Sequence, residues 1–574
     1  METQTYQTDT YDTDVLIVGA GPVGLMAACE LARCGISCRI IEKARQRSRL
    51  SRAIIVQPRT LEILALLGLE RTFLQKGFLS QGLNVGFTDA RKNDQTTSVD
   101  FHYVDTRFPY LLFLPQDETE ELLEAYLSAR GITVERGVTW QRCITEQTCV
   151  TSQALLADGQ TASIRSRYLI ACDGSHSDVR THLGIPFLGK NLPLTFFLCD
   201  AYVESGYVKG HLFTYAMPRG LGIIIPLREY VRFVALDYAK QEQQHTDELT
   251  LEEMQDSLDA LLPRKIELRE PRWLGRFGVA ERQATHYRSG RVFLAGDAAH
   301  VHTPAGGQGM NVGLQDAYNL AWKLALVLKA QAPGMLLETY QEERHRIGTQ
   351  IERFTGALFR NFLLKNRWLK ALRNVAIHTL VPLPAMQRRL GASMAEIRVN
   401  YRFSQLSRQQ RDAHLSHKAA QAGDRVPDIE LASVEEPELW LYSHLRTAPA
   451  YTLLIFVSIL QLRQEGDASQ LAHSLEQVRQ QYSATIQPSI VIDEGLPEGL
   501  PAEIPTFVDQ KHHLRDKLGV RHQSVLLIRP DAYVAFHTQG WDWDKLAPLF
   551  QPWVSQEDRL LSQKTAYPLD HAVR

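Results

Sequence analysis

The sequence predicts an α/β fold: a doubly wound, mainly parallel sheet flanked by helices, a β-rich segment inserted into it, and a further α/β unit at the C-terminal end. Three observations carry this prediction. Near the N-terminus an apolar run, Val15-Leu-Ile-Val18, ends in Gly19-Ala-Gly21-Pro-Val-Gly24, which opens an alanine-rich helix. Almost three hundred residues on, a second apolar run, Val292 to Ala295, ends in Gly296-Asp297 and leads through a glycine-rich stretch into a long helix from about Asn311 to Lys329. Strand-like runs fill the interval, and strands and helices alternate again beyond about residue 419. A strand, a glycine turn and a helix form the repeating unit of a doubly wound sheet, whose strand ends face ligands.

At 574 residues the chain exceeds what one hydrophobic core supports, so two or three domains are expected. A formal net charge of -2 gives no electrostatic footprint for a nucleic-acid partner. Residues 1–14 are polar and acidic without an apolar signal region, no apolar run is long enough to span a bilayer, and a cytoplasmic location is expected by default. The seven cysteines fall in the first 200 residues without a Cys-x-x-Cys pair and read as small buried residues. His300 and His302 are potential metal ligands, but no further ligand completes a set around them, and no metal site is expected.

In the first unit, Gly19 permits the tight turn, Gly21 lets a pyrophosphate approach the backbone, and Gly24 lets the helix pack closely on the strand. A second strand, Cys38 to Ile41, delivers Glu42, 18 residues after Gly24. A carboxylate there suits the two hydroxyls of an adenosine ribose and repels a 2′-phosphate, favouring FAD or NAD over NADP. Glycines alone make only a sharp turn, whereas strand, glycines, helix and acid in register make a dinucleotide site.

Ser51-Arg52-Ala53 precedes a short amphipathic helix after Pro58, with Thr60 as its expected cap. Leu114-Pro-Gln116 leads into another helix with Leu122, Leu123, Tyr126 and Leu127 at helical spacing. Strand-like segments follow around Val134 to Val138 and Ala154 to Leu156. The apolar strand from Tyr168 then stops at Asp173-Gly174, ahead of Ser177 and Arg180. This is either an ordinary turn or a strand end presented to a ligand. Within residues 185–290, the runs 212–217, 221–225 and 231–236 read as one sheet, and Phe213 and Tyr215 are either substrate contacts or ordinary strand residues.

Tyr340 to Arg344 closes the part with glycine motifs. A basic amphipathic region follows, about Arg353 to Arg389. Phe359, Phe362, Leu363, Trp368, Leu369 and Leu372 alternate there with Arg360, Lys365, Arg367, Lys370 and Arg373. Packing on the body or lining an entrance is favoured over membrane-surface binding. A change of texture at residues 419–427 marks a boundary. Beyond it the pattern predicts strand 451–457, helix 471–482, strand 489–492, helix 512–518 and a hairpin across 524–536 turning at Arg529-Pro-Asp531.

Gly19-x-Gly21-x-x-Gly24, Asp173-Gly174…Arg180 and Gly296-Asp297 occur in the order and spacing of the single-component FAD-dependent aromatic hydroxylases, which the chain strongly resembles over about residues 12–350. Members of that group act on phenols, hydroxyphenylpropionate and aromatic polyketides. The resemblance implies a Rossmann-like FAD-binding domain of the glutathione-reductase type (residues 12–184 and 291–355) and an inserted β-sheet substrate domain (185–290). It also implies a helical connector (356–418) and a thioredoxin-like C-terminal domain (419–574), redox-inactive for want of cysteine and structural or dimer-forming. It implies an NAD(P)H-consuming monooxygenase. NADPH or NADH, bound transiently, reduces FAD, and dioxygen yields a flavin C4a-hydroperoxide that passes one oxygen to an aromatic or polyketide-like substrate.

Carried onto this chain, the resemblance places Glu42 on the adenosine ribose, Asp297 beside Gly296 on the ribityl chain, and Arg52 and Gln116 along the cofactor's middle. Asp173 and Gly174, supported by Arg180, serve FAD and NAD(P)H. Pro304 and the loop through Gly309, Met310 and Asn311 lie beside the flavin. A helix N-terminus aimed at the pyrimidine edge independently suits the negative charge of reduced flavin. Pro304, Arg52 and Tyr215 are the catalytic candidates. One departure stands out: phenol hydroxylases of the group carry an aspartate before their Arg-Thr-Leu-Glu segment, and Ala53-Ile-Ile-Val-Gln57 has no acid. Two rival readings are another flavin oxidoreductase on the same fold and a non-catalytic flavin-binding protein.

Overall fold

The computed structural model describes residues 11–48, 51–88, 94–203, 210–241, 248–304, 306–364, 366–407, 419–433, 439–447, 449–462, 467–493, 501, 503–509, 512–520 and 523–554. Residues 1–10 of the polar N-terminus, Lys365 of the basic stretch, and 408–418 at the end of the expected connector lie outside the described residues, as do 555–574.

In chain order, the first part contains β1 (Thr13–Val18), α1 (Pro22–Arg33), β2 (Cys38–Glu42), α2 (Pro58–Leu67), β3 (Gly82–Thr88), β4 (Asp94–Asp100), α3 (Gln116–Ser128), β5 (Val134–Arg136) and β6 (Thr161–Ala171). The middle contains β7 (Phe187–Val203), β8 (Leu212–Met217), β9 (Gly220–Pro226), β10 (Val231–Asp237), α4 (Leu251–Leu261), β11 (Leu268–Ala284), β12 (Val292–Leu294), α5 (Gly309–Leu328), α6 (Glu338–Phe362), α7 (Arg367–Leu380) and α8 (Pro384–Met394). The tail contains β13 (Tyr451–Val457), α9 (Asp467–Tyr482), β14 (Ile486–Ile492), β15 (Thr506–Val508), α10 (His513–Leu518), β16 (Ser524–Ile528) and β17 (Val534–Gln539).

The parallel core of the first sheet runs β12-β6-β1-β2-β5, and antiparallel strands at Arg288–Ser289, Val150–Leu155 and Thr139–Thr145 complete the sheet. Its central strands are apolar on both faces because helices cover both: Val15, Leu16, Ile17, Leu169 and Ile170 are fully buried. Pro22 at the first turn of α1 fits a position whose N–H has no intrahelical partner, and the small residues Ala27 and Ala28 let the helix bury against α5 and the sheet. β12 returns to this sheet after the whole inserted segment, so the chain closes its first layer late.

The second sheet is ordered His300–Val301, β11, β7, β10, β9, β8, β3, β4. It extends beyond residues 185–290: β3 and β4 come from the first hundred residues, and β3 pairs in parallel with β8. Alternation sorts the two faces. Phe197, Cys199, Tyr215, Ile224, Phe233 and Ala235 pack against Met254, Leu258 and Leu261 of α4, while their sequence neighbours face the first sheet.

α2 is capped at Gln57, which has no side-chain capping bond, and Thr60 is a buried residue inside the helix with its hydroxyl unpartnered; the expected Thr60 cap is thereby corrected. Pro58 explains the shift, because its ring sets the first helical φ and so starts the helix three residues earlier.

In the tail, β15-β14-β13 are parallel and β13-β16-β17 antiparallel. A buried cluster of charges joins this unit to the body. Arg529 donates to Glu343 of α6 at 2.7 and 2.9 Å and to Asp531, while Lys323 of α5 donates to the same glutamate at 2.8 Å. All four polar groups are buried, and each is matched by an opposite charge, which is what makes their burial tolerable. Among the described residues, no helix is long and apolar enough to cross a membrane.

Candidate active site

The ends of β1, β6 and β12 converge on one cavity of about 670 Å³, closed by the second sheet, the start of α5 and the α6–α8 region. Gly19 adopts φ +102°, and a Cβ there would lie 2.4 Å from the Cys172 carbonyl oxygen. A Cβ on Gly24 would lie 2.0 Å from the Gly19 carbonyl oxygen. Both positions therefore require glycine for packing within the protein. Gly21 differs: a Cβ there meets nothing within 4 Å, and the residue lines the cavity. Its bareness opens toward a ligand.

Glu42 ends β2 with its carboxylate accepting from the Ala20 and Ala44 backbone N–H groups, both at 2.9 Å. The acid is thereby tied to the glycine turn. At the other end, Asp297 opens onto the cavity. Its depth in the fold pushes its carboxyl above the ordinary carboxylate pKa, against the opposing pull of His300 and of Arg52. Arg52 lines the same wall, and its backbone carbonyl accepts from Arg232 at 3.2 Å. Arg232 itself forms a two-pronged pair with Asp200, at 2.7 and 2.6 Å. Gln116 lines the cavity and receives the Ala53 N–H at 3.4 Å, so it also holds the Arg52 segment.

The turn bearing Asp297 is braced from beneath. Asp316 of α5 accepts from the Gly296 N–H at 3.1 Å, lies 2.6 Å from His300 Nε2, and accepts from Arg344 Nε at 2.6 Å. Arg344 and His300 hold the Asp316 carboxyl below its usual range despite complete burial. A Cβ on Gly313 would lie 2.7 Å from Val23 and 3.1 Å from Gly296 Cα, so α1, α5 and this turn touch without a spacer.

Arg180 makes no bond to the cavity side. It donates to the Ala298 and Ser175 carbonyls, both at 2.9 Å, and so clamps the β6 turn to the β12 turn. Asp173 accepts from the Val179 N–H at 3.1 Å; its other oxygen is buried without a partner, and burial raises its pKa. Gly174 lines the cavity at φ +84°.

Val312 is the first residue of α5 to donate within the helix, to Gln308 at 3.0 Å, so the N–H groups of Gly309, Met310 and Asn311 precede the ladder. Gly309, Met310 and Pro304 line the cavity. The Asn311 side chain does not. Its oxygen accepts from the Gln57 N–H at 2.9 Å, and its amide donates to Ile55 and Gly307 at 2.9 and 2.8 Å. This side chain stitches the 54–57 segment to α5, which leaves the backbone N–H at the helix start as the group that can face a ligand.

Tyr215 is corrected. On β8 the parity puts Leu212 and Thr214 on the cavity and Tyr215 on the opposite face, where it stacks with Phe213 at 6.1 Å and packs among the α4 residues. His302 was singled out in the sequence only as a metal candidate. It lines the cavity, stacks on His300 at 4.8 Å, and has both ring nitrogens unpartnered. Burial, then the neighbouring His300, pushes its pKa down to about 3, so the ring is neutral. Its position two residues before Pro304 was the available signal.

These features fit an extended dinucleotide. A bare glycine lies beside a helix N-terminus at one end, and a braced aspartate and a second helix N-terminus at the other. Thr303 Oγ1, Gln57 Oε1, Gln308 Oε1 and the His302 nitrogens, all on the wall, are unpartnered polar atoms. Among the described residues lining the cavity, Asp297 is the one carboxylate, and Arg52 and Arg232 are the charged cations. The remainder, on the sheet side, is mostly apolar: Leu83, Val85, Leu221, Ile223, Val234 and Phe277 with the hydroxyls of Thr97 and Thr214.

Residues 12–355 match the family model described as an FAD binding domain. The chain is 33% identical over 489 residues to an uncharacterized aromatic compound monooxygenase, YhjG, of Bacillus subtilis, covering 83% of this chain and 92% of that one. It is 32% identical to a 6-methylpretetramide 4-monooxygenase of Streptomyces rimosus, covering 91% and 90% respectively. Among solved structures it superposes on an anhydrotetracycline hydroxylase, OxyS, from Streptomyces rimosus with a TM-score of 0.73 at 29% identity, covering 94% of this chain and 99% of that one.

Proposed function

The chain belongs to the family of FAD-dependent aromatic monooxygenases built on this FAD-binding domain, and on that footing we propose that it hydroxylates an apolar, planar, multi-ring aromatic compound of the polyketide kind, with NAD(P)H as electron donor. One observation carries the substrate class. The sheet side of the cavity is a broad apolar face with two threonine hydroxyls and no carboxylate among its described residues, a surface that receives fused rings and offers no base to a small phenol. The names of the relatives support the same class.

FAD, when bound, would supply the redox and dioxygen chemistry, with NAD(P)H as the source of the electrons. The protein's part is to hold and to exclude. Glu42 binds the adenosine ribose, and the open backbone at Gly21 admits the pyrophosphate. Asp297 takes a ribityl hydroxyl, Arg52 and Gln116 line the middle, and the N–H groups that start α5 stabilise negative charge on the flavin's pyrimidine edge. Pro304 shapes the flavin-side wall, and Asp173-Gly174 is the approach for the nicotinamide. The apolar sheet face positions the ring and keeps water out. Ring deprotonation is left to the substrate's own acidity, with neutral His302 an available acceptor on the wall.

Residues 12–184 and 291–355 form the cofactor domain, 185–290 supply most of the substrate sheet, 356–418 connect, and 419–574 form a redox-inactive unit. In that tail, parallel β15-β14-β13 flanked by the β16–β17 hairpin supports a thioredoxin-like reading.

The test is to purify the protein, record its flavin spectrum, and follow NADH and NADPH consumption against a panel running from phenol to tetracyclic polyketides, with product and peroxide assays. Fused-ring compounds should stimulate consumption and gain one oxygen. Stimulation by small phenols alone, or by none of the panel, refutes the reading. Asp297→Ala should purify folded but depleted of FAD, and normal loading would remove Asp297 from the site.

A further inference from the structure

We propose that the outer face of α7 seats the enzyme on an anionic lipid surface. α7 contains no buried residue. Its inner side is engaged: Ile377 lines the main cavity, Arg373 donates to the Asn361 carbonyl at 2.6 Å, and His378 Nδ1 lies 2.6 Å from Thr97 Oγ1. Its outer side presents Trp368, Leu372 and Val375, spaced four and three apart and therefore on one stripe, at 71%, 67% and 60% exposure. Leu380 at the end of the helix and Leu383 just beyond it are also exposed, at 46% and 51%. Single exposed apolar residues are ordinary, whereas a contiguous stripe including an indole marks an interaction surface.

Charge identifies what covers it. Residues 353–395 contain eight lysines and arginines and no aspartate or glutamate, in a chain whose formal net charge is -2. Arg367, at the start of α7, and Arg388 and Arg389, on α8, are exposed. An apolar stripe edged by cations is the pattern of a helix lying in the plane of an acidic membrane surface, with tryptophan at headgroup level. A second copy docked through the same face would meet cations with cations, and no acid of the segment would pair them.

Beneath the stripe, a groove of about 420 Å³ between α6 and α7 shares Leu358, Phe362 and Ile377 with the main cavity. Docking sets the mouth of that groove against lipid. An apolar aromatic dissolved in the bilayer then enters without crossing water, a consequence that rests on the proposed substrate class; the docking itself does not.

The experiment is flotation of the flavin-loaded protein with vesicles of phosphatidylcholine, with and without phosphatidylglycerol, at low and high salt. Wild type should float with the anionic vesicles and be released by salt. Trp368→Ser combined with Val375→Ser should cut partitioning roughly tenfold or more while flavin content stays at the wild-type level, given the burial worth of those side chains. Arg367→Glu with Arg388→Glu and Arg389→Glu should abolish flotation. Absence of flotation, equal flotation with neutral vesicles, or flotation unchanged by the Trp368/Val375 variant overturns the proposal. A wild-type dimer that this variant dissociates, without lipid binding, assigns the face to a second copy and overturns it equally.

Discussion

Arg344→Met tests whether the buried charges beneath the Gly296-Asp297 turn hold the site in shape. Arg344 is completely buried; its guanidinium donates to Asp316 at 2.6 Å, to the Tyr401 hydroxyl at 2.9 Å and to the Val312 carbonyl at 3.1 Å. Methionine keeps much of the length and apolar contact but removes the charge and every donor. Asp316 is then left ionised in the interior with only the Gly296 N–H and His300 to accept from. Removing one partner of a buried ion pair costs about 3–5 kcal/mol, most of it the uncompensated charge that remains.

The sign with pH follows from Asp316. Its folded pKa lies below the ordinary value, so its contribution is present above the unfolded pKa and lost as pH falls through the folded one. The deficit of Arg344→Met should therefore be full at pH 7 and shrink below about pH 4, as Asp316 protonates in both proteins. The assay is urea unfolding followed through flavin release, together with FAD affinity by fluorescence titration. The turn carrying Asp297 loses its brace, so FAD should bind on the order of tenfold more weakly, about 1.4 kcal/mol. Adding Asp316→Asn should recover part of the loss, because it removes the stranded charge. If Arg344→Met costs less than about 1 kcal/mol and retains FAD normally, or if Asp316→Asn adds its damage in full, the brace is not electrostatic.

Three further outcomes are expected. Burial pushes the Glu396 carboxyl up to about 8, so its contribution is complete below the unfolded pKa near 4.5 and lost as pH rises toward 8. Urea midpoints of wild type should fall across that window by an amount equivalent to about 1.4 kcal/mol per pH unit from this group, while Glu396→Gln, still an acceptor for Gln315, should lack that component. His302 has the opposite sign: its folded pKa of about 3 lies below the unfolded value near 6.5, so stability is lost as pH falls from 6.5 toward 3, and His302→Gln should flatten that limb in acid titration of the apoprotein. Gly313→Ala should cost about 1–3 kcal/mol by overpacking, and Val23→Ala, which removes the atoms 2.7 Å from the new methyl, should offset part of it in thermal melts; strict additivity of the two would refute the contact.

How much of the site was legible depends on the range of the signal. Gly19, Gly296 and the start of α5 could be read because a positive φ or a helix N-terminus is written in two to six adjacent residues. The strand at 451–457 and the hairpin beyond Ser524 were readable for the same local reason. Tyr215 was not, because an aromatic on a strand buried on both faces satisfies either face equally, and only the cavity on one side and α4 on the other set the parity. The bracing role of the Asn311 side chain was not, because two of its three partners, Gln57 and Ile55, lie more than 250 residues away and its type alone does not say whether it serves ligand or protein. β3 and β4 joined a sheet whose other strands begin almost ninety residues later, a pairing no local pattern specifies.

By itself, then, the sequence determined the α/β class, the strand–glycine–helix ends and the acid at each, because those rest on backbone freedom and apolar period within single elements. Tertiary structure alone decided which face of the second sheet meets the cavity, which polar side chains are consumed as braces, and that α7 keeps one apolar stripe uncovered. Those outcomes depend on what burial and charge pairing bring together across hundreds of residues.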